Sequence, residues 1–459
     1  MSDINNNVNE IKEQAKSYAK AIMDNFGVGL DVTAKEYGAI GKVRELRDAK
    51  ILLQLLFIYA MGSLSFRTIS VIAFVMFKCN ISDEAWRQRF KKSELWLCFL
   101  LEVLLMKLVP IQLYFHFNEQ QMQVYLLDAS TVKQVGKEGK ELRLHTCYNL
   151  TKGAIEEVII SDNHTAEGVH LFEIIPYSLY IADAGYGKGK NYQHIVSNKG
   201  NALFRFTPNL VKLCGNNEGR GKINMVKRLN TKKKIVEFEC FVHVGKGKYA
   251  PVRIIASRLP DDMALLAKER KMRESKKKQT QIKDETLVYC QWVILMTNLD
   301  YSHSAESLLH IYRSRWQIEL LFKRIKQFFS IRRLKKSSLS QSKVLVLTWL
   351  LIWALVESET IAAEIRLIED GVDMERYSIW LMANLLYRRF ETMLNSLWAF
   401  YLDLDTDLNI IYKRLRNHKS SRSNQYAIYR FGSSSSEIEP TANVESLKIS
   451  SSILPKLVA

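Results

Sequence analysis

Ile311-Tyr-Arg-Ser-Arg-Trp-Gln-Ile-Glu-Leu-Leu-Phe-Lys-Arg-Ile-Lys-Gln-Phe-Phe329 is the stretch on which the reading of this chain turns. At about 100° per residue, an α-helix places Tyr312, Arg315, Glu319 and Lys326 within roughly 60° of one another. Ile311, Ile318, Phe322, Ile325 and Phe329 form an apolar stripe alongside. Glu319 then sits at the border between core and polar surface, flanked by Arg315 and Lys326. The pattern predicts a long helix from about Ala305 to Phe329. Glutamate with basic residues at helical spacing is common on structural helices, so its meaning depends on what the rest of the chain brings to it.

Upstream lie short apolar runs of strand length: Val124–Leu127, His145–Tyr148, Val158–Ile160, Leu179–Ala182 and Ala202–Phe206, with Trp292–Met296 directly before the helix. A helical segment is expected around Thr165 to Ile175 and another segment near Tyr192 to Asn198. Strands followed by alternating strands and helices predict a mixed α/β sheet flanked by helices. Between Pro208 and about Glu285 the rhythm breaks into basic turns and alternating strands, Val236–Val244 and Val252–Ser257, which read as an inserted β-rich module. Its basic run, Lys268 to Lys278, reads as a solvated loop.

Asp128 and Asp183 each follow an apolar run, at the place where open α/β sheets bind ligands, outside the carboxyl ends of strands. Asp183 is followed by Ala-Gly185-Tyr-Gly187, whose glycines allow a tight turn and close approach of another segment. An aspartate after a strand is more often a turn residue or a helix cap. Two of them together with Glu319, in a basic chain, are more than that reading predicts.

The 459 residues carry 66 Lys plus Arg against 48 Asp plus Glu, a formal charge of +18, which favours a polyanionic partner and makes nucleic acid the leading candidate. An anionic membrane is the rival. The longest apolar stretches, Leu95 to Met106 and Val344 to Val356, fall short of the roughly 20 residues that cross a bilayer and read as core helices. The opening MSDINNNVNEIKEQ lacks the basic start and apolar centre of a secretory signal, so the expectation is a chain inside the cell. Six cysteines without a CxxC pair argue against a zinc knuckle or a disulfide framework. No histidine has a partner at metal-ligand spacing, and His145 takes the structural reading. The first hundred residues read as helical, with apolar clusters at Ile51–Ala60 and Val71–Phe77 and a helix capped by Ser82 whose basic face could meet phosphate. Apolar helices are expected to about Tyr401, then a Ser-rich disordered tail from about Ser420.

The spacing Tyr312-x2-Arg315-x3-Glu319-x6-Lys326 resembles the signature of the bacterial insertion-sequence DDE transposases, the cut-and-paste, hairpin-forming type. The Asp-Ala-Gly-Tyr-Gly context of Asp183, Leu142–His145, Phe204-Arg205 and Trp292 add to the likeness, which covers about residues 120 to 330. One departure is Asp128-Ala-Ser130-Thr131, where the family usually has Asp-x-Thr; Ser130 keeps a hydroxyl.

The resemblance implies a ribonuclease H-like mixed sheet with a β-rich insertion between the second aspartate and the glutamate. In that reading, residues 1–118 form a helical DNA-binding region, 119–207 and 289–370 the two parts of the catalytic core, 208–288 the insertion, 371–419 a helical C-terminal region and 420–459 the tail. Asp128, Asp183 and Glu319 would be catalytic and hold Mg²⁺, for which Mn²⁺ could substitute. Tyr312, Arg315 and Lys326 would grip DNA, and Trp292 would stack on a flipped base. The implied partners are double-stranded DNA, as terminal inverted repeats and target, and a second copy in a synaptic homodimer. No membrane is implied, and the place of action would be the bacterial cytoplasm, on the nucleoid. Two rivals remain at this point: a catalytically inactive, transposase-derived DNA-binding regulator, and a structure-specific DNA nuclease that hydrolyses without joining.

Overall fold

Short apolar runs that alternate about the strand axis must bury both faces when they lie at the middle of a sheet. The computed structural model, which describes residues 22–399 apart from 27–28, 42–44, 47, 63, 109–115, 118–119, 134–140, 209–210, 329–336 and 373–377, and positions 13, 17 and 20, shows this arrangement. Its strands are β1 (His116–Phe117), β2 (Gln120–Gln121), β3 (Val124–Lys133), β4 (Glu141–Asn149), β5 (Ala154–Asp162), β6 (Leu179–Ala182), β7 (Asn201–Arg205), β8 (Leu213–Cys214), β9 (Ile235–Gly245), β10 (Lys248–Arg258) and β11 (Trp292–Thr297). All but the first two join one nine-stranded sheet in the order β5-β4-β3-β6-β7-β11-β10-β9-β8. β3, β6 and β7 run parallel at its centre, and every other neighbour is antiparallel. β9 and β10, from the stretch expected to form a β-rich insertion, extend the same sheet through the β10–β11 ladder.

Period-two alternation divides the core into two layers. Val124, Leu126, Leu179, Ile181, Leu203 and Leu295 face one cluster, and Tyr125, Leu127, Tyr180, Ala182, Phe204 and Met296 face the other. Each fully buried Leu or Ile in these strands stabilises the fold by about 1.5–3 kcal/mol. The helices are α1 (Leu30–Glu36), α2 (Ala49–Gly62), α3 (Phe66–Phe77), α4 (Asp83–Lys92), α5 (Glu94–Lys107), α6 (Gly189–Ser197), α7 (Met225–Leu229), α8 (Asp261–Lys278), α9 (Asp284–Tyr289), α10 (Ala305–Arg313), α11 (Trp316–Phe328), α12 (Leu339–Glu369) and α13 (Ile379–Ala399). The first layer is roofed by α5, which packs on β5, and α11, which packs on β3; α12 packs on α2, α5 and α13. α6 covers the other face. Ser82 caps α4 as expected, its hydroxyl accepting from the Ala85 N–H at 3.3 Å. All six cysteines are unpaired thiols, four of them buried.

α12 has 31 residues and an apolar window long enough to cross a membrane, but 72% of that window is buried inside the fold. Its apolar surface is used against neighbouring helices.

Three expectations need correction. Thr165 to Ile175 is not helical beyond a single 3-10 turn, Val169–Leu171. Gly168 is extended, and Pro176 disfavours helix in the residue before it. Lys268 to Lys278 is not a loop but the end of α8, in which Ala264 is the buried residue. Its Ala, Leu, Met, Lys, Arg and Glu content has high helix propensity, and Asp261 and Asp262 at its start and Lys276–Lys278 at its end suit the helix dipole. The long helix from Ala305 to Phe329 is two helices, α10 and α11, separated at Ser314 and Arg315. There the Ser314 hydroxyl donates to the Ile311 carbonyl at 2.6 Å, and the Ser314 and Arg315 N–H groups bond three residues back. The Ser-rich tail and Tyr401 lie outside the described residues.

Candidate active site

The register of the two central strands builds the site. In the β3–β6 ladder Leu127 lies opposite Ala182, the last parallel pair, so Asp128 and Asp183 are the next residue on each neighbouring strand. β6 ends there, but β3 continues to Lys133, with Asp128 opposite Thr146 of β4. Asp128 is thus inside a ten-residue strand rather than at its end, and what stops beside it is the parallel partner. Alternation puts Asp128 on the face of Val124 and Leu126, the face that α11 covers.

The turn after Asp183 depends on its two glycines. The Gly185 N–H donates to Asp183 Oδ1 at 2.7 Å. A methyl group on Gly187 would lie 2.3 Å from the Arg205 carbonyl oxygen, so this position admits no side chain without moving β7.

Burial, joined by the negative charges of Asp183 and Glu167, pushes the Asp128 carboxyl up to about 7; the Ala129 N–H, 2.8 Å from Oδ1, and the Arg315 guanidinium pull the other way. Holding that carboxylate ionised costs on the order of 4 kcal/mol relative to water. The pair is short of positive charge in a chain that carries +18.

The signature residues come from both sides of the helix break. Tyr312 stands in the last turn of α10, 8% exposed, with its phenol pushed up to about 12 mainly by burial and its hydroxyl facing Arg315. Arg315 lies in the break and donates from Nη2 to Glu319 Oε1 at 2.6 Å; its charge also reaches Asp128 and Tyr312. Glu319 stands in the first turn of α11, half exposed, turned towards Arg315. Lys326 follows two turns later, half-buried. The structure therefore brings Asp128, Asp183, Tyr312 and Arg315 together, with Glu319 linked to them through Arg315.

Trp292 lies away from this group. It begins β11 at 4% exposure, packed in the second core layer, and in this position offers no face to a base. An exposed indole lies close by in Trp316, 63% accessible. Trp316 and Glu319 line a cleft of ≈ 630 Å³ together with Arg205, Arg258, Arg313 and Arg315. Trp316 and Arg258 went unnoticed in the sequence. The signal for Trp316 was an aromatic side chain one turn before Glu319 on a polar helix face. A larger cavity of ≈ 1160 Å³ beside α8 includes none of the carboxylates.

Buried Arg253 fixes the approach to the signature helices. From β10 it pairs with Glu237, donates to the carbonyls of Asp300, His303 (2.8 Å) and Leu299 (3.3 Å), and lies 4.5 Å from the Tyr301 ring centroid. β10 thereby anchors the loop before Ser304, the residue that caps α10.

The donor set suits a hard divalent cation: carboxylate oxygens short of positive charge. Among the described residues no three His, Cys, Asp or Glu side chains converge closely enough to enclose an ion. Glu319 is paired with Arg315 rather than grouped with the two aspartates. A half-exposed i,i+4 ion pair of this kind is worth only about 0.3–0.5 kcal/mol.

Comparison with known proteins bears on the family of the chain. The family described as transposase DDE domain matches residues 119–355, more than half of the chain. The InsL protein of insertion sequence element IS186A, from Escherichia coli (strain K12), is 26% identical over 337 residues, 72% of this chain and 89% of its own. The transposase for insertion sequence element IS421, from Escherichia coli, is 26% identical over 338 residues, with the same coverage.

Proposed function

The chain belongs to the DDE-domain transposase family, and from that premise we propose that it cleaves DNA at the ends of an insertion sequence and transfers those ends into target DNA. The observation that carries the proposal is the placement of Asp128 and Asp183 one residue beyond the last parallel pair of β3 and β6, under the helix that bears Glu319. The order β5-β4-β3-β6-β7, with three parallel strands beside an antiparallel hairpin, supports a ribonuclease H-like core in which β9 and β10 form the insertion.

Asp128, Asp183 and Glu319 would hold Mg²⁺ or Mn²⁺. When bound, two such ions supply an activated nucleophile and neutralise the charge that grows on the leaving oxygen. The remaining tasks belong to the chain. Asp128 must shed its proton, which a neighbouring cation favours and burial and the charge of Asp183 oppose. Arg315, released from Glu319, is free to contact a phosphate with its planar fork. Arg205, Arg258 and Arg313 line the cleft beside it and suit the DNA backbone, while Trp316 offers a stacking face. Lys326 would reach DNA further along α11. A water nucleophile gives hydrolysis; a 3′-hydroxyl in the same place gives strand transfer. Pairing two DNA ends calls for a second copy of the chain.

The test is a plasmid carrying the element's terminal repeats, incubated with the full chain and Mg²⁺, with products mapped at both ends. Excised DNA joined to new sites supports the proposal. Cleavage without joining makes the protein a nuclease, and specific binding without cleavage in Mg²⁺ or Mn²⁺ makes it a regulator.

A further inference from the structure

Between β5 and β6 the chain turns through a segment with a well-defined anchor. Asp162 Oδ1 accepts from the His164 and Thr165 N–H groups, each at 3.1 Å, and the Arg143 guanidinium donates to the Thr165 carbonyl at 2.9 Å. Two residues later the chain delivers Glu167. A methyl group on Gly185 would lie 2.3 Å from Glu167 Oε2 and 3.0 Å from Asp183 Oδ1, so both carboxylates crowd over the one residue that has no side chain to exclude them. Glu167 is half-buried and makes no hydrogen bond or ion pair with a described residue.

Tyr186 is an independent observation. It is fully buried, its hydroxyl has no hydrogen-bond partner among the described residues, and it feels the negative charges of Glu167, Asp128 and Asp183. A buried hydroxyl left unpaired costs about 1–3 kcal/mol, and three carboxylates beside it repel one another. The electrostatic surroundings of Glu167 itself are Asp183, opposed by Arg143 and Lys188, neither of which closes an ion pair with it.

We propose that Glu167 is a fourth carboxylate of the cation site, placed against Asp183 through Gly185, with the Tyr186 hydroxyl beneath the cluster. The inference rests on the active-site reading above and adds to it a ligand from the β5–β6 loop, outside the three-carboxylate signature. Mutual repulsion keeps the cluster open in the metal-free protein, and a divalent cation removes that repulsion.

Mn²⁺ binding to the full chain without DNA, followed by the paramagnetic signal of free Mn²⁺, tests this together with metal-free thermal unfolding. Wild type, Glu167→Gln, Glu167→Asp and Asp183→Asn are compared. Glu167→Gln should unfold no earlier than wild type and bind Mn²⁺ about tenfold or more weakly, with Glu167→Asp recovering part of the loss. If Glu167→Gln is folded and binds Mn²⁺ as wild type does while Asp183→Asn does not, Glu167 is no ligand and the active-site reading survives. If wild type binds no Mn²⁺, or Asp183→Asn binds it undiminished, both fall. Fe²⁺ substituted for Mn²⁺, with peroxide and ascorbate, gives a second readout: backbone scission within residues 163–168 supports the proposal, and scission near 128 and 183 without it overturns it.

Discussion

Asp128 and Asp183 extend by one residue the parallel ladder in which Leu127 lies opposite Ala182. Burial first, and the charge of Asp183 beside it second, push the carboxyl of Asp128 up to about 7, so the end of the ladder favours a proton or a cation.

A dependence on pH follows. Between about 4 and about 7 the folded protein holds a proton on Asp128 that the unfolded chain has released, so ionisation opposes folding and stability of the metal-free protein falls as pH rises through that window. Asp128→Asn removes this contribution. Urea unfolding should show the variant more stable than wild type above pH 7, by up to about 4 kcal/mol, with the gap closing towards pH 4. A gap that does not change with pH would contradict the burial assigned to Asp128.

Glu319 should matter for chemistry and hardly at all for folding. Its pair with Arg315 is half exposed, so Glu319→Gln is expected to shift stability by no more than about 0.5 kcal/mol while abolishing Mg²⁺-dependent cleavage. Thermal unfolding and a cleavage assay on one preparation decide it. A large loss of stability would mean that the pair is structural.

The two tryptophans should behave in opposite ways. Trp292→Ala empties a core position and should cost about 3–5 kcal/mol on denaturation. Trp316→Ala should leave stability nearly unchanged and weaken binding to the transposon end by about 1–3 kcal/mol if the indole stacks on a base. Unaltered DNA binding by the folded Trp316 variant would remove that role.

Arg253→Met leaves Glu237 without its partner and strips donors from the carbonyls of Leu299, Asp300 and His303. Loss of one member of such a buried pair should cost about 3–5 kcal/mol, read from the denaturant midpoint. An insertion that merely decorated the sheet would tolerate the change.

How far the sequence carried these conclusions depended on how local each signal was. Leu179–Ala182 is apolar at all four positions because β6 is covered on both faces, and Asp183 at its end was therefore legible. The spacing of Tyr312, Arg315, Glu319 and Lys326 was legible too, but not the break at Ser314 that takes Arg315 out of the helix, since it depends on one hydroxyl bonding back to Ile311. β3 outran its apolar run because Thr131 and Val132 pair with β4, a partner that periodicity does not reveal. Glu167 was invisible: it sits in a loop without pattern, and only the fold sets it above Gly185. The burial of Trp292 was not legible, because an aromatic residue that starts a buried strand and one that stacks on a ligand look alike in one dimension.

The most direct test of the central claim is cleavage of terminal-repeat DNA in Mg²⁺ by wild type and by Asp128→Ala, Asp183→Ala and Glu319→Ala, with binding to the same DNA measured alongside. The account predicts that wild type cuts, and that each variant binds the ends and cuts nothing. Variants that cut as well as wild type would show that the chemistry lies elsewhere in the molecule.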